Sequence, residues 1–237
     1  MLNSNEPVFV AGTGIISAIG NRVAECLDAL ENGRAGMGQM HYLQSAHSKR
    51  LPVAEVKLSN EELAQLAGLP NIKSRTALLS LVAAKEALAA AGIENIKDLR
   101  TGFISATSVG GMDKTENFFT GFLSDNSKGK LRDVINHECG SVTELVADAL
   151  GIKDYITTIS TACSSSANAI FLGARLIRNK IVDLVVAGGT DCMTRFTLNG
   201  FNTLMIVDEQ FCQPFDENRR GLNLGEGAGY VVLVSDK

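Results

Sequence analysis

Apolar positions along the chain follow two periods, and segments of each kind alternate. Short runs of β-branched and aliphatic residues fall at 8–10, 101–108, 156–160, 182–191 and 227–235. Between them, longer stretches place apolar residues three and four apart, the spacing of a helix face. The clearest helix is "SRTALLSLVAAKEALAAAG", with Ser74 as N-cap and Gly92 as a stop after the last turn. Its Ala77, Leu81, Ala84, Leu88 and Ala91 recur at helical spacing. The small residues on that face imply close packing against a sheet.

The remaining elements follow from turn and cap residues. Val8–Val10 read as a strand ending in a tight turn at the glycines of "AGTGIIS". Asn21 is placed to cap a helix with Ala24, Leu27 and Leu30 on one face and Gly33 as its stop. Residues 34–58 read as loop with one short strand. Ser59 heads a short helix with acidic residues in its first turn. The polar stretch 124–133 reads as an exposed loop, and 140–150 as a helix. Strands alternating with helices, several apolar throughout, predict an α/β fold with a mostly parallel or mixed sheet flanked by helices.

Bulk properties then narrow the function. The chain has 237 residues, a size for one large domain or two small ones. A net charge of −4 gives no basic excess to hold nucleic acid, and 5% aromatics with no tryptophan leave little to stack on bases. Cysteines at 26, 139, 163, 192 and 212 form no CxxC pair, so neither a disulfide framework nor a zinc site is implied. Reduced thiols in a cytoplasm are the simplest reading. Glu6 and two glycines interrupt the N-terminal apolar run, which argues against a signal peptide. No apolar run reaches the roughly 20 residues of a membrane helix.

Two stretches invite chemistry. "GTGIIS" at 12–17 lacks the third glycine of a dinucleotide-binding fingerprint, because Ser17 stands there. "ITTISTACSSSANAIF" at 156–171 reads as strand, tight turn and helix, with Cys163 at the join. A thiol at a helix N-terminus meets unpaired N–H groups that favour the thiolate. The same groups can hold an oxyanion on a thioester carbonyl. Ala167, Ile170, Phe171, Ala174 and Ile177 share one face of the following helix, which predicts its burial. On location alone, Cys163 is equally a nucleophile or a small core residue. A hydrolase elbow of the G-x-S-x-G kind fits less well, since Thr161 and Ser165 hold the glycine positions.

"STACSSSANAI" resembles the nucleophile motif of the β-ketoacyl-acyl-carrier-protein synthases, of the thiolase-like superfamily. "VFVAGTGIISAIGN", "SRTALLSLVAAKEAL", "ISATSVGG", "DLVVAGGTD" and "PFDENRRGLNLGEGAGYVVL" resemble other family segments in the same order, over about residues 8–234. The resemblance implies a single domain over 1–237 with the thiolase-like fold of the family's N-terminal half. The C-terminal half is expected to be absent, and with it the family's two catalytic histidines and its lysine. His41, His47 and His137 match no motif position. Residues 112–150 fit the family loosely, and Arg220 stands where an acidic residue is frequent.

The implied activity is decarboxylative condensation of an acyl-Cys163 intermediate with a malonyl thioester, in fatty-acid or polyketide-type synthesis. Val109 and Phe201 match positions that border the acyl chain, with plain core packing as the equal alternative for both. Asp216, Arg219, Gly225, Glu226 and Gly227 are expected to build a turn with an internal ion pair. The implied partners are an acyl-carrier protein, which brings its own phosphopantetheine, and a second copy of the chain pairing through 156–160. No other cofactor is implied. A non-catalytic partner subunit of chain-length-factor type, or another thiolase-like acyltransferase, is the alternative reading.

Overall fold

The computed structural model describes residues 6–235, apart from Lys73 and Glu94. Five strands form one sheet: β1 (Val8–Ser17), β2 (Thr101–Ala106), β3 (Tyr155–Ile159), β4 (Leu184–Asp191) and β5 (Gly227–Ser235), in the order β1-β5-β4-β2-β3. β2 pairs in parallel with β3 and β4. β5 runs antiparallel to both β4 and β1. Four strands thus share one direction and β5 alone opposes them. Hydropathy gives no clue to that reversal, because β5 is an apolar run like β4 beside it.

The first strand is longer than its pattern suggests. β1 continues through Gly12 and Gly14 to Ser17 instead of turning at the glycines. Those glycines serve a different need. A Cβ on Gly12 would overlap the carbonyl oxygen of Ala87, and one on Gly14 that of Ala83. Helix α3 (Arg75–Ala90) therefore lies almost on the strand backbone, with alanines opposite glycines. That contact answers the "GTG" spacing without any phosphate.

Of the other helices, α1 (Val23–Glu31) and α2 (Asn60–Ala67) precede α3. Ser59 caps α2 in a reciprocal capping box with Glu62, and Ser74 accepts from the Ala77 N–H at the start of α3. Asn21 does not cap α1. Arg22 holds that position without a side-chain capping bond, and the Glu25 carboxylate accepts the Asn21 N–H. The buried face of α1 is Cys26 and Ala29, so Leu27 and Leu30 are exposed, contrary to the expected face. Helix α4 (Met112–Ser124) and helix α7 (Arg195–Thr203), both carrying an internal glycine, have no counterpart in the sequence reading. α5 (Cys139–Leu150) falls where a helix is expected.

Two apolar layers hold the sheet. On one face α3 and α5 bury Leu78, Leu81, Val142 and Val146 against Phe103, Leu184, Val186 and Val232. α3 is buried all round from Arg75 to Ala84, which marks it as a central helix rather than an amphipathic one. On the other face α6 (Ser165–Arg178) covers β2 and β4 through Ala169, Leu176 and Ile177. Gly173 lets this helix settle on Val185, Ala187 and Leu233. The outward face of α6 carries Ile170 and Phe171, both exposed. The expected face is therefore split: Ile177 is buried and Ala174 half-buried against the sheet, whereas Ala167, Ile170 and Phe171 are exposed, and the small residues at 165, 169 and 173 face the sheet instead. Among the described residues, no helix is long and apolar enough to cross a membrane.

Candidate active site at the Cys163 elbow

The parallel strands β1, β2 and β4 end at one edge of the sheet, where α/β folds commonly bind ligands. A cleft of about 370 Å³ opens there, lined by Ile15–Ser17, Ala106–Ser108, Ala162–Cys163, Ser165–Ser166, Gly189–Asp191 and Gly227–Gly229. The chain enters it from β3 through a short 3-10 turn, Ala162–Ser164, and leaves along α6. Of the five cysteines, all within the described residues, Cys163 alone is exposed. Cys26 and Cys192 are buried, while Cys139 and Cys212 are half-buried.

The elbow is strained and pinned. Ala162 has φ 52°, a left-handed conformation that costs a residue with a Cβ about 1–2 kcal/mol. Ser165 holds it there: its hydroxyl donates to the Ala162 carbonyl at 2.7 Å and accepts the Thr161 N–H at 2.7 Å. Asn168 adds a bond from its side-chain amide to Thr161 Oγ1 at 2.9 Å. Ser165 therefore does work that glycine cannot do, although it occupies a glycine position of the hydrolase elbow. Behind the thiol, a Cβ on Gly189 would overlap Ser166 Oγ, so the glycine lets the helix start close over β4.

Electrostatics separate the cysteines further. Burial, with Asp191 and Glu138 nearby, pushes the Cys139 thiol up. Burial pushes Cys192 well above the ordinary thiol range, and Asp113 adds to it. Both are poor thiolates. Cys163 combines exposure with a place before the first turn of a 14-residue helix, whose leading N–H groups lack intrahelical partners.

Val109 and Phe201 do not join Cys163. Val109 is buried in the α3-side core, one residue beyond cleft-lining Ser108, and Phe201 is half-buried on α7. Neither lines the cleft. His41, His47 and His137 lie elsewhere too: His47 meets Arg50, and His137 meets Thr115. The internal ion pair is Arg75–Glu226 at 2.6 Å, not one between Asp216 and Arg219. Glu226 also accepts the N–H groups of Val56 and Met193. Asp216 and Arg219 are exposed, and Arg219 donates from both its backbone N–H and its Nη1 to the Asp216 carbonyl rather than to the carboxylate. Asp191 also lines the cleft. It closes the quoted "DLVVAGGTD", but a strand-terminal acid has no signal of its own.

This architecture is thiolase-like, and the solved structures it resembles are ketosynthases. It superposes on a ketosynthase (ApeO) solved in complex with its chain length factor (ApeC) from Xenorhabdus doucetiae, with a TM-score of 0.82 at 26% identity, over 99% of this chain and 59% of that one. The ishigamide ketosynthase/chain length factor gives a TM-score of 0.87 at 25% identity, over 98% of this chain and 59% of that one. The chain matches the family described as Beta-ketoacyl synthase, N-terminal domain, over residues 5–237, and belongs to that family. Nodulation protein E of Rhizobium sp. (strain N33) is 27% identical, over 96% of this chain and 58% of the relative. The tetracenomycin polyketide synthase ketoacyl synthase alpha subunit of Streptomyces glaucescens is 25% identical, over 98% of this chain and 58% of the relative. The chain thus spans a little under three fifths of the length of these relatives.

Proposed function

We propose that Cys163 is the acyl-accepting nucleophile of a 3-oxoacyl-[acyl-carrier-protein] synthase, acting in fatty-acid or polyketide-type synthesis. The observation that carries this reading is the exposed thiol on a strained, pinned elbow at the carboxyl edge of the sheet. The Cys163 thiolate attacks the carbonyl carbon of an acyl thioester on a carrier protein. The carbonyl oxygen takes the charge against the N–H groups at the head of α6. The bond to the carrier's sulfur then breaks, its thiolate takes a proton from water, and the acyl group stays on Cys163.

Condensation needs a second half-reaction. The bond from a malonyl thioester to its carboxylate breaks, CO2 leaves, and the electron pair forms an enolate that attacks the acyl carbon. Cys163 leaves as thiolate and a 3-oxoacyl thioester is released. The enolate needs neutral donors, and His41, His47 and His137 do not line this cleft. No metal or organic cofactor enters either step. The working form is a homodimer in a cytoplasm, joined through edge strand β3 at residues 156–160, with an acyl-carrier protein as the transient partner.

A second reading is a non-catalytic partner subunit of chain-length-factor type. It is favoured by the solved neighbours that are ketosynthase and chain-length-factor pairs. The test is incubation of this chain with acyl- and malonyl-carrier protein. The expected result is an acyl adduct on Cys163 and no 3-oxoacyl product. Product formed by this chain alone would overturn the assignment of the enolate donors, and the absence of any adduct would favour the second reading.

A further inference from the structure

One wall of the cleft hangs on a single carboxylate oxygen. Oδ1 of Asp191 accepts from Thr107 Oγ1 at 2.6 Å, from the Ser108 N–H at 2.9 Å and from the Val109 N–H at 3.1 Å. Thr107 Oγ1 in turn accepts the N–H groups of Val109 and Gly110, at 3.3 and 3.0 Å. The Thr107 N–H donates to the Ile159 carbonyl, so the turn is also tied to β3, the strand that leads to the elbow. Gly110 turns the chain at φ 56°, and a Cβ there would crowd the His137 carbonyl.

The arrangement exceeds what a plain turn needs. Among the described residues, no cation pairs with Asp191, and burial pushes its carboxyl up against the pull of the three donors. A partly buried acid without a counter-charge is expensive to keep. What it holds is a turn with two sides. Ser108 lines the Cys163 cleft, while the neighbouring Val109 is buried in the core behind it. If the turn slackens, Val109 loses its seat, and the space beyond the thiol changes shape.

We propose that Asp191 is a positioning residue that fixes the 107–110 turn as the inner wall of the Cys163 cleft, and thereby sets how long an acyl chain the thiol can take. The assignment rests on the reading of Cys163 as acyl acceptor, since only then does the wall face an acyl chain. It makes Asp191 neither a base nor a nucleophile. The carboxylate acts through the turn it holds.

The test compares alkylation of Cys163 by iodoacetamide with alkylation by an N-octyl chloroacetamide, as second-order rates read from peptide mass spectra. Iodoacetamide is too short to sense the inner wall. The Asp191→Ala variant is expected to lose about tenfold in the long-chain rate relative to the short-chain rate, with the iodoacetamide rate held within twofold. Asp191→Asn keeps an acceptor oxygen at the same place and is expected to restore the ratio to within twofold of the parent. Thr107→Val loosens the turn from the other side and should shift the ratio in the same direction as Asp191→Ala. It decides the matter if the alanine variant does not fold. An unchanged ratio in Asp191→Ala and Thr107→Val, or an equal fall in both rates, would overturn the assignment. Because both probes are simple electrophiles, the shift is read whether or not a carrier protein delivers acyl groups. Failure of acyl transfer would therefore sink the functional reading and leave the wall assignment judged on its own.

Discussion

α3 and α6 are built from the same stock of alanines and aliphatic residues, yet they meet the sheet on different terms. α3 is sunk on every side over its first ten residues, pressed onto glycines of β1 and roofed by α2 and α5. α6 touches the sheet with one narrow stripe and turns Phe171 outward at 61% exposure. The difference is one of roles. α3 is the mass that makes the fold stable, each buried leucine contributing roughly 1.5–3 kcal/mol by removal from water. α6 is the platform that presents a thiol, and its packing is reserved for the few positions that hold the elbow close to β4. The most deeply buried helix and the exposed thiol thus lie on opposite faces of one sheet.

The largest effect expected from this contrast lies at the head of α3. Arg75 gives its guanidinium to Glu226, and both side chains are almost fully buried. Arg75→Leu strands the Glu226 carboxylate and is expected to lower unfolding free energy by about 3–5 kcal/mol in urea titration. Leucine at both positions should recover only part of that, because the Val56 and Met193 N–H groups lose their acceptor as well. A single-variant loss under about 1 kcal/mol would remove Arg75 from the account of the α3 face.

A smaller effect sits at the centre of the same layer. Tyr230 is buried, its hydroxyl shared with Ser80 at 2.7 Å and Ser105 at 2.6 Å, and burial pushes its pKa up to about 12. The fold therefore prefers the neutral phenol. Between pH 10, where an unfolded tyrosine ionises, and pH 12, the unfolded chain gives up a proton that the folded chain keeps. Stability from this group is complete below pH 10 and falls by up to about 3 kcal/mol as pH rises through 12. Tyr230→Phe starts from a lower stability, with two hydroxyls losing a partner, and should lose this alkaline slope. An unchanged slope would contradict the assignment.

The smallest effect is expected on the outer face of α6. Phe171→Ser should change stability by no more than about 0.5 kcal/mol, because little area is lost from the core. It should lower self-association in sedimentation, since an exposed apolar patch is removed. A loss of 2 kcal/mol or more would mean that this face is packed within the chain, and the contrast with α3 would fail.

Much of this plan was legible in the residues. Ser59 and Ser74 announce their helices, and Gly33 and Gly92 their ends, because caps are decided locally. The strands at 101–106, 184–191 and 227–235 stand where β-branched runs place them. Long-range facts escaped. Nothing local reveals that β5 runs against its neighbours, or that Gly12 and Gly14 are strand residues waiting for α3. The helical period misplaced the face of α1 and of the first turns of α6, where Cys26, Ala29, Ala169 and Gly173 face the core and Leu27, Leu30, Ile170 and Phe171 do not, while Ile177 at the end of α6 is buried as expected. Arg75 and Glu226 are 151 positions apart, and Asp191 meets Thr107 across 84, so neither pairing leaves a trace in spacing. Cys163 was legible as a candidate because its stretch resembles a family's nucleophile motif. Its exposure and the strain at Ala162 needed coordinates.

The central claim is that the elbow singles out one thiol of five. Its most direct test is to expose the chain to an octanoyl-carrier-protein thioester and locate the acyl group among the five cysteines by peptide mass spectrometry. The account predicts an octanoyl group on the peptide holding Cys163, and no adduct in the Cys163→Ala variant. Acyl label on Cys139 or any other cysteine at an equal rate, or the same label persisting in Cys163→Ala, would contradict it.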